Sequence, residues 1–201
     1  MTAVKLSDMM KKRQLLSFEL FPPKTDRGMA NLSETIQQLC RYKPEYISVT
    51  YGAGGGNVGA NRQVCRMVRN AGTVPVTHFT VIRNTKQGIR EQLETYLKEG
   101  VDHILALRGD FPRGETSTGG DFNYATDLVK FIRDEFGEQF EIAVAGSPEG
   151  HISCRSLEAD IGVLKMKQDN GADYIMTQLC WDMEQFERWL DKIRRAGVTL
   201  P

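Results

Sequence analysis

One carboxylate interrupts an otherwise greasy stretch. Glu19 sits within residues 17–23 (SFELFPP); Leu15, Leu16, Phe18, Leu20 and Phe21 form a short apolar run around it that Pro22-Pro23 ends. The pattern predicts a buried strand stopped by proline. A carboxylate inside such a strand is costly unless it is paired, hydrogen-bonded or protonated. Burial raises its pKa, which suits a general acid at neutral pH. A glutamate held by a buried arginine or lysine is the competing reading.

Other polar groups recur where apolar stretches end. Thr50 and Tyr51 lead into a glycine-rich loop at residues 52–57, which lets a ligand approach backbone closely but lacks the GK[ST] of a P-loop. A plain connection is its competing reading. His78 lies within a strand-like stretch, as a buried structural histidine or as a ligand contact. Arg108-Gly109-Asp110 closes another strand: arginine offers a planar fork for phosphate or carboxylate, glycine allows close approach, and aspartate adds a charge. A local Arg–Asp ion pair would explain the same residues. Glu149 and His151 follow a fifth strand. Asp160 and Lys167, seven residues apart, share a helix face, for which a solvated face is the competing reading, and Thr177-Gln178 ends a sixth strand. Glutamine donates and accepts at once, as a heterocyclic amide requires.

The elements that must position these groups alternate. Strand patterns at 46–50, 74–82, 103–107, 141–145 and 174–179 follow the one at Glu19, and helical spacing separates them, as in Leu32, Ile36 and Leu39. Thr85 and Asp182 are placed to cap helices, and Gly72, Gly100, Gly137, Gly171 and Gly197 to stop them. Residues 1–13 predict a leading helix or a loose end. Strand-to-strand spacing of about thirty residues is that of right-handed βαβ crossovers, so the class is α/β with a parallel sheet. A Rossmann sheet would carry GxGxxG after its first strand, where this chain has Pro-Pro. Polar residues at the ends of successive strands favour a (β/α)8 TIM barrel, which keeps its active site there. About six of its eight units are present. The expectation is therefore one barrel domain over residues 1–201, incomplete at the C-terminal end.

Composition narrows the partners. The 201 residues carry 26 basic and 26 acidic side chains and no net charge, which favours neither nucleic acid nor an anionic membrane. No stretch reaches transmembrane length and no signal peptide is evident, so a cytoplasmic protein is expected. The four cysteines, Cys40, Cys65, Cys154 and Cys180, form no CxxC and predict free thiols in the core. His78, His103 and His151 are scattered, and no metal site is expected.

Together the segments SFELFPP, SVTYGAGG, THFTV, ILALRGD, NYATDLV, SPEGH, LEADIGVLKMKQDNGAD and IMTQ resemble, in order, the methylenetetrahydrofolate reductase family of one-carbon metabolism and methionine biosynthesis. The resemblance implies non-covalent FAD at the barrel mouth, reduced by NADH or NADPH, and reduction of 5,10-methylenetetrahydrofolate to 5-methyltetrahydrofolate. The substrate's five-membered ring opens to an iminium ion once N10 is protonated. By the same resemblance Glu19 is that proton donor, and Asp110 lies beside flavin and pterin as a catalytic and binding residue. Thr50 and Gln178 contact substrate or nicotinamide. Tyr51, Ala53, His78, Arg108, Gly109, Asp110, Tyr124, Ala125, His151, Asp160 and Lys167 hold FAD. A homo-oligomer is expected. Two departures from the family pattern are Ser147 before Pro-Glu and Leu179-Cys180-Trp181 in place of phenylalanines. The alternatives are a non-catalytic flavin-binding or regulatory subunit of the same fold, and a barrel lyase or aldolase using Glu19 as a base.

Overall fold

A computed structural model describes residues 5–51, 58–111 and 114–201. Six parallel strands lie side by side in chain order: β1 (Ser17–Leu20), β2 (Tyr46–Val49), β3 (Val74–Thr80), β4 (His103–Leu107), β5 (Glu141–Gly146) and β6 (Tyr174–Thr177). Among the described residues seven α-helices accompany them: α1 (Leu6–Met10), α2 (Asp26–Cys40), α3 (Val58–Asn70), α4 (Lys86–Lys98), α5 (Ala125–Phe136), α6 (Leu157–Asp169) and α7 (Met183–Arg195). Each strand pairs with its sequence neighbour, for example Glu19 with Ser48 and Ser48 with Val76. This is a curled six-stranded part of a (β/α) barrel, as the alternation predicts.

The helix boundaries follow from local chemistry. Thr85 accepts from the Gly88 N–H at 3.0 Å and starts α4, and Asp182 accepts from the Gln185 N–H at 3.0 Å and starts α7. Gly72, Gly100, Gly171 and Gly197 all adopt positive φ beyond helix ends, where a side chain would be strained.

Alternation along the strands builds two cores. Ile47, Val49, Phe79, Val81, Ile104, Ala106, Ile142 and Val144 face the helices. Tyr46, Val76, Leu105, Ala143 and Tyr174 face the barrel interior, where Leu6 of α1 joins them. Thus α1 plugs the end of the barrel where the strands begin. Glu141 holds it there, accepting from the Leu6 and Ser7 N–H groups at 2.7 and 2.8 Å. Behind Glu141 stands His103, with Nε2 at 3.0 Å, and His103 Nδ1 lies 2.7 Å from Asp102.

Three expectations need correction. The strand around Glu19 is not buried: only Leu20 is, while Leu16 and Phe21 are exposed. Among the described strands β1 pairs with β2 alone, so its other edge is open. β3 and β6 end at Thr80 and Thr177, short of the predicted Ile82 and Leu179. Of the cysteines, all free, only Cys65 is buried.

A buried hub fixes the end of β2. Asn61 of α3 is fully buried; its Nδ2 donates to the Val49 and Thr50 carbonyls at 3.0 and 3.1 Å, and its Oδ1 accepts from Thr77 and Tyr96 hydroxyls at 2.8 and 2.6 Å. Asn61→Ala would strand several of these groups without water. Urea unfolding should show a loss of about 2–4 kcal/mol.

Candidate active site

Because all six strands run the same way, their C-terminal ends form one rim. Glu19 lies between Phe18 and Leu20, which pack on the helix-side core, so its side chain takes the interior face. It is exposed, and no described arginine, lysine or histidine forms a salt bridge with it. What burial it has raises its carboxyl above the ordinary range. The alternative of a glutamate locked to a cation is not what the described residues show.

Thr50 follows β2, half-buried, with its N–H on the Leu20 carbonyl at 2.9 Å. Tyr51 is buried and turns toward the helix layer: its ring lies 5.8 Å from Phe79 and its hydroxyl donates to Gln92 at 3.0 Å. Burial pushes that phenol up to about 12. Ala53 lies outside the described residues. His78 is on the interior face of β3; burial lowers its pKa to about 4, so the ring is neutral, and its Nε2 has no hydrogen-bond partner among the described residues.

Beyond β4, Arg108 stacks on Phe111 with 4.5 Å to the ring centroid and donates to the Gly109 carbonyl at 3.2 Å. Asp110 is exposed and forms no ion pair among the described residues, so the local Arg–Asp pair is absent. Gly109 has φ +86°, and a Cβ there would lie 2.7 Å from Ile82 Cγ1 and 3.0 Å from Thr80 Cβ. Both neighbours are buried and cannot yield. Gly109→Ala should therefore destabilise by about 1–3 kcal/mol and displace Arg108 and Asp110; chemical denaturation measures the first effect.

Tyr124 and Ala125 open α5, Tyr124 exposed and Ala125 half-buried, with the Tyr124 N–H on Asp127 at 3.0 Å. After β5, the exposed His151 gives its backbone N–H to Asp160 at 3.1 Å, and Cys154 Sγ lies 3.5 Å from the same carboxylate. Lys167 reaches the Ala145 carbonyl at 2.8 Å; burial lowers its pKa and the Asp160 charge opposes that. Asp160 and Lys167 thus both reach the β5 exit from α6. Gln178 and Thr177, with Leu179, Cys180, Met183 and Phe186, line an open cavity of about 270 Å³ between β6 and α7.

The sequence pattern missed several groups that shape the rim. Asn84 donates to the Thr80 carbonyl at 3.1 Å and accepts from Gln92 at 2.9 Å, carrying the Tyr51 contact across to β3. The loop after β4 folds back on this turn through the Arg83 N–H to the Thr118 carbonyl at 2.7 Å and the Asp121 N–H to the Asn84 carbonyl at 3.1 Å. Its length was the only hint. No described group of three or more His, Cys, Asp or Glu residues is arranged to hold a metal, and no described helix is long and apolar enough to cross a membrane.

The fold and the rim define a parallel (β/α) barrel protein with an acid, a neutral histidine and polar groups at its strand ends. Residues 5–201 match the model of the methylenetetrahydrofolate reductase family, and the chain belongs to that family. It is 36% identical over 195 residues to methylenetetrahydrofolate reductase 1 of Schizosaccharomyces pombe, covering 95% of this chain and 32% of that protein. It is also 36% identical over 198 residues to methylenetetrahydrofolate reductase (NADH) 1 of Arabidopsis thaliana, covering 92% and 33%. With 5,10-methylenetetrahydrofolate reductase of Escherichia coli the identity is 36% over 186 residues, covering 92% and 61%. The chain therefore spans about a third of these eukaryotic relatives and three-fifths of the bacterial one. Among solved structures, an uncharacterized Clostridium thermocellum protein that binds two copies of 5-methyl-5,6,7,8-tetrahydrofolic acid matches with a TM-score of 0.64 at 11% identity, covering 94% of this chain and 63% of that one. A 2,3-dimethylmalate lyase matches with a TM-score of 0.66 at 10% identity, covering 99% and 70%. At such identities these two speak for the fold alone.

Proposed function

We propose that this chain carries the catalytic rim of a reductase that converts 5,10-methylenetetrahydrofolate to 5-methyltetrahydrofolate with electrons from NADH or NADPH and FAD as the bound carrier. The observation that carries this reading is Glu19: an interior-facing carboxyl at the strand ends, raised by burial and free of any described cation.

The rim suits a flavin. His78 Nε2 is a buried atom lacking a partner among the described residues, and Arg108 and Lys167 put cations at neighbouring strand exits, where a diphosphate needs them. Tyr51, Gly109, Asp110, Tyr124, Ala125, His151 and Asp160 complete the proposed holding set, with Ala53 from the loop. Bound FAD supplies a carrier that takes two electrons from one partner and gives them to the next.

The protein's own groups do the rest. Glu19, its carboxyl raised by what burial it has, is the donor that delivers a proton to N10 of the folate and so opens the five-membered ring. Asp110, in no ion pair among the described residues, offers its carboxylate to stabilise the resulting cation. Thr50 and Gln178 orient substrate and nicotinamide by hydrogen bonds. The test is anaerobic turnover of the purified full-length protein with methylenetetrahydrofolate and each nicotinamide. Bound flavin without folate turnover would overturn the reading in favour of a non-catalytic flavin subunit.

A further inference from the structure

The buried amide of Asn61 is aimed at the rim. An asparagine side chain has two N–H donors and two acceptor positions, and here all four are used. Nδ2 donates to the Val49 and Thr50 carbonyls at 3.0 and 3.1 Å, and Oδ1 accepts from the Thr77 and Tyr96 hydroxyls at 2.8 and 2.6 Å. The acceptor side anchors the amide to β3 and α4. The donor side grips the chain where β2 ends.

Thr50 is held from the other side as well. Its N–H donates to the Leu20 carbonyl at 2.9 Å, so the β1–β2 ladder runs one residue beyond the strand. Ile47 and Val49 pack on the helix-side core, and alternation carries Thr50 onto the interior face with Ser48, which is registered against Glu19. The Thr50 backbone is thus tied at its N–H to β1 and at its C=O to α3. A buried polar network with every position satisfied fixes one geometry, and the geometry fixed here is that of the β2 exit beside the proposed proton donor.

We propose that Asn61 is a positioning residue: through the Thr50 carbonyl it sets the reach of the Thr50 hydroxyl toward the bound nicotinamide or folate. This rests on the reading of Thr50 given above. Asn61 itself is fully buried and touches neither ligand. A shift of about 1 Å at such a contact is enough to forfeit it.

A double-mutant cycle in steady-state kinetics, run on the full-length protein, tests the role. Thr50→Val identifies the ligand, as the one of the two whose KM rises. Asn61→Ala should raise that same KM about 3- to 10-fold, with kcat per folded enzyme within about twofold. In the Thr50→Val background Asn61→Ala should add less than about twofold, because the hydroxyl it positions is gone. Loss of stability alone removes enzyme and lowers apparent kcat, but leaves the KM of what stays folded. Tyr96→Phe is the control. It takes one partner from Oδ1 and leaves both donors on β2, so the urea midpoint should fall while KM stays within about twofold. Asn61→Asp serves where Asn61→Ala folds poorly: it keeps the shape, but a carboxyl with at most one donor leaves a β2 carbonyl unserved, and the same KM should rise. An unchanged KM in the Asn61 variants, an equal rise in both backgrounds, or an equal rise in Tyr96→Phe would overturn the positioning role. A Thr50→Val protein with neither KM altered would remove the Thr50 contact and the positioning role with it, whereas its turnover would still support the reductase reading. A parent without folate turnover would overturn that reading too.

Discussion

Replacing Glu19 by glutamine should lower methylenetetrahydrofolate reduction by on the order of 10²–10⁴-fold, the range for loss of a positioned acid. Oxidation of the nicotinamide with an artificial electron acceptor should stay within about twofold, because that half of the reaction needs no proton at N10. Folding gives little reason for the variant to fail otherwise. Glu19 is exposed and has no described ionic partner, so its neutral isostere should change stability by about 0.5 kcal/mol or less. The pH dependence carries a sign. Burial raises the carboxyl, so the parent's folate step should fall as pH climbs through that raised value, when the proton is lost. Glu19→Gln should lack this alkaline limb. A variant that reduces folate within tenfold of the parent would remove the acid role.

The second large effect concerns the barrel floor. Glu141→Ala should cost about 3–5 kcal/mol in urea or thermal unfolding, since it removes one member of a buried ion pair and takes the carboxylate away from His103 Nε2. It also deprives the Leu6 and Ser7 N–H groups of their acceptor. That is a large share of the stability of an ordinary domain. Burial works to raise Glu141, but His103 and the Ser7 and Leu6 donors outweigh it and bring its pKa down to about 2. Burial likewise works to lower His103, yet Asp102 and Glu141 carry it up to about 9. The lowered carboxylate contributes stability above its ordinary 4.5, lost as pH falls through about 2. The raised histidine contributes below its ordinary 6.5, lost as pH rises through about 9. The floor should therefore be firmest between 4.5 and 6.5. Glu141→Gln should flatten both slopes, and unchanged slopes would refute the linkage.

Much of this frame is written in short-range pattern. Helix starts at Thr85 and Asp182 and stops at Gly100 and Gly171 are local chemistry, visible within four residues. Parallel pairing follows from connection length, and the rim follows from parallel pairing. What escaped depends on partners distant in the chain. Glu141 looks like the polar first residue of a strand and His103 like a stray histidine; nothing local links either to α1. Glu19 looked buried because its neighbours are apolar, yet alternation sends those neighbours to the helices and leaves the carboxyl toward the opening. Tyr51 borders the glycine loop, but its hydroxyl is claimed by Gln92, forty-one positions on. As to the site itself, the residue types are legible; which of their atoms lack partners is a property of packing.

The floor contact also sets an order of assembly. Leu6 and Glu141 are separated by 135 positions, whereas each strand pairs with one already made just before it. During synthesis the sheet can grow strand by strand as the chain leaves the ribosome. The first helix cannot dock until the fifth strand has emerged. Until then those leading residues wait, undocked, for a carboxylate that does not yet exist.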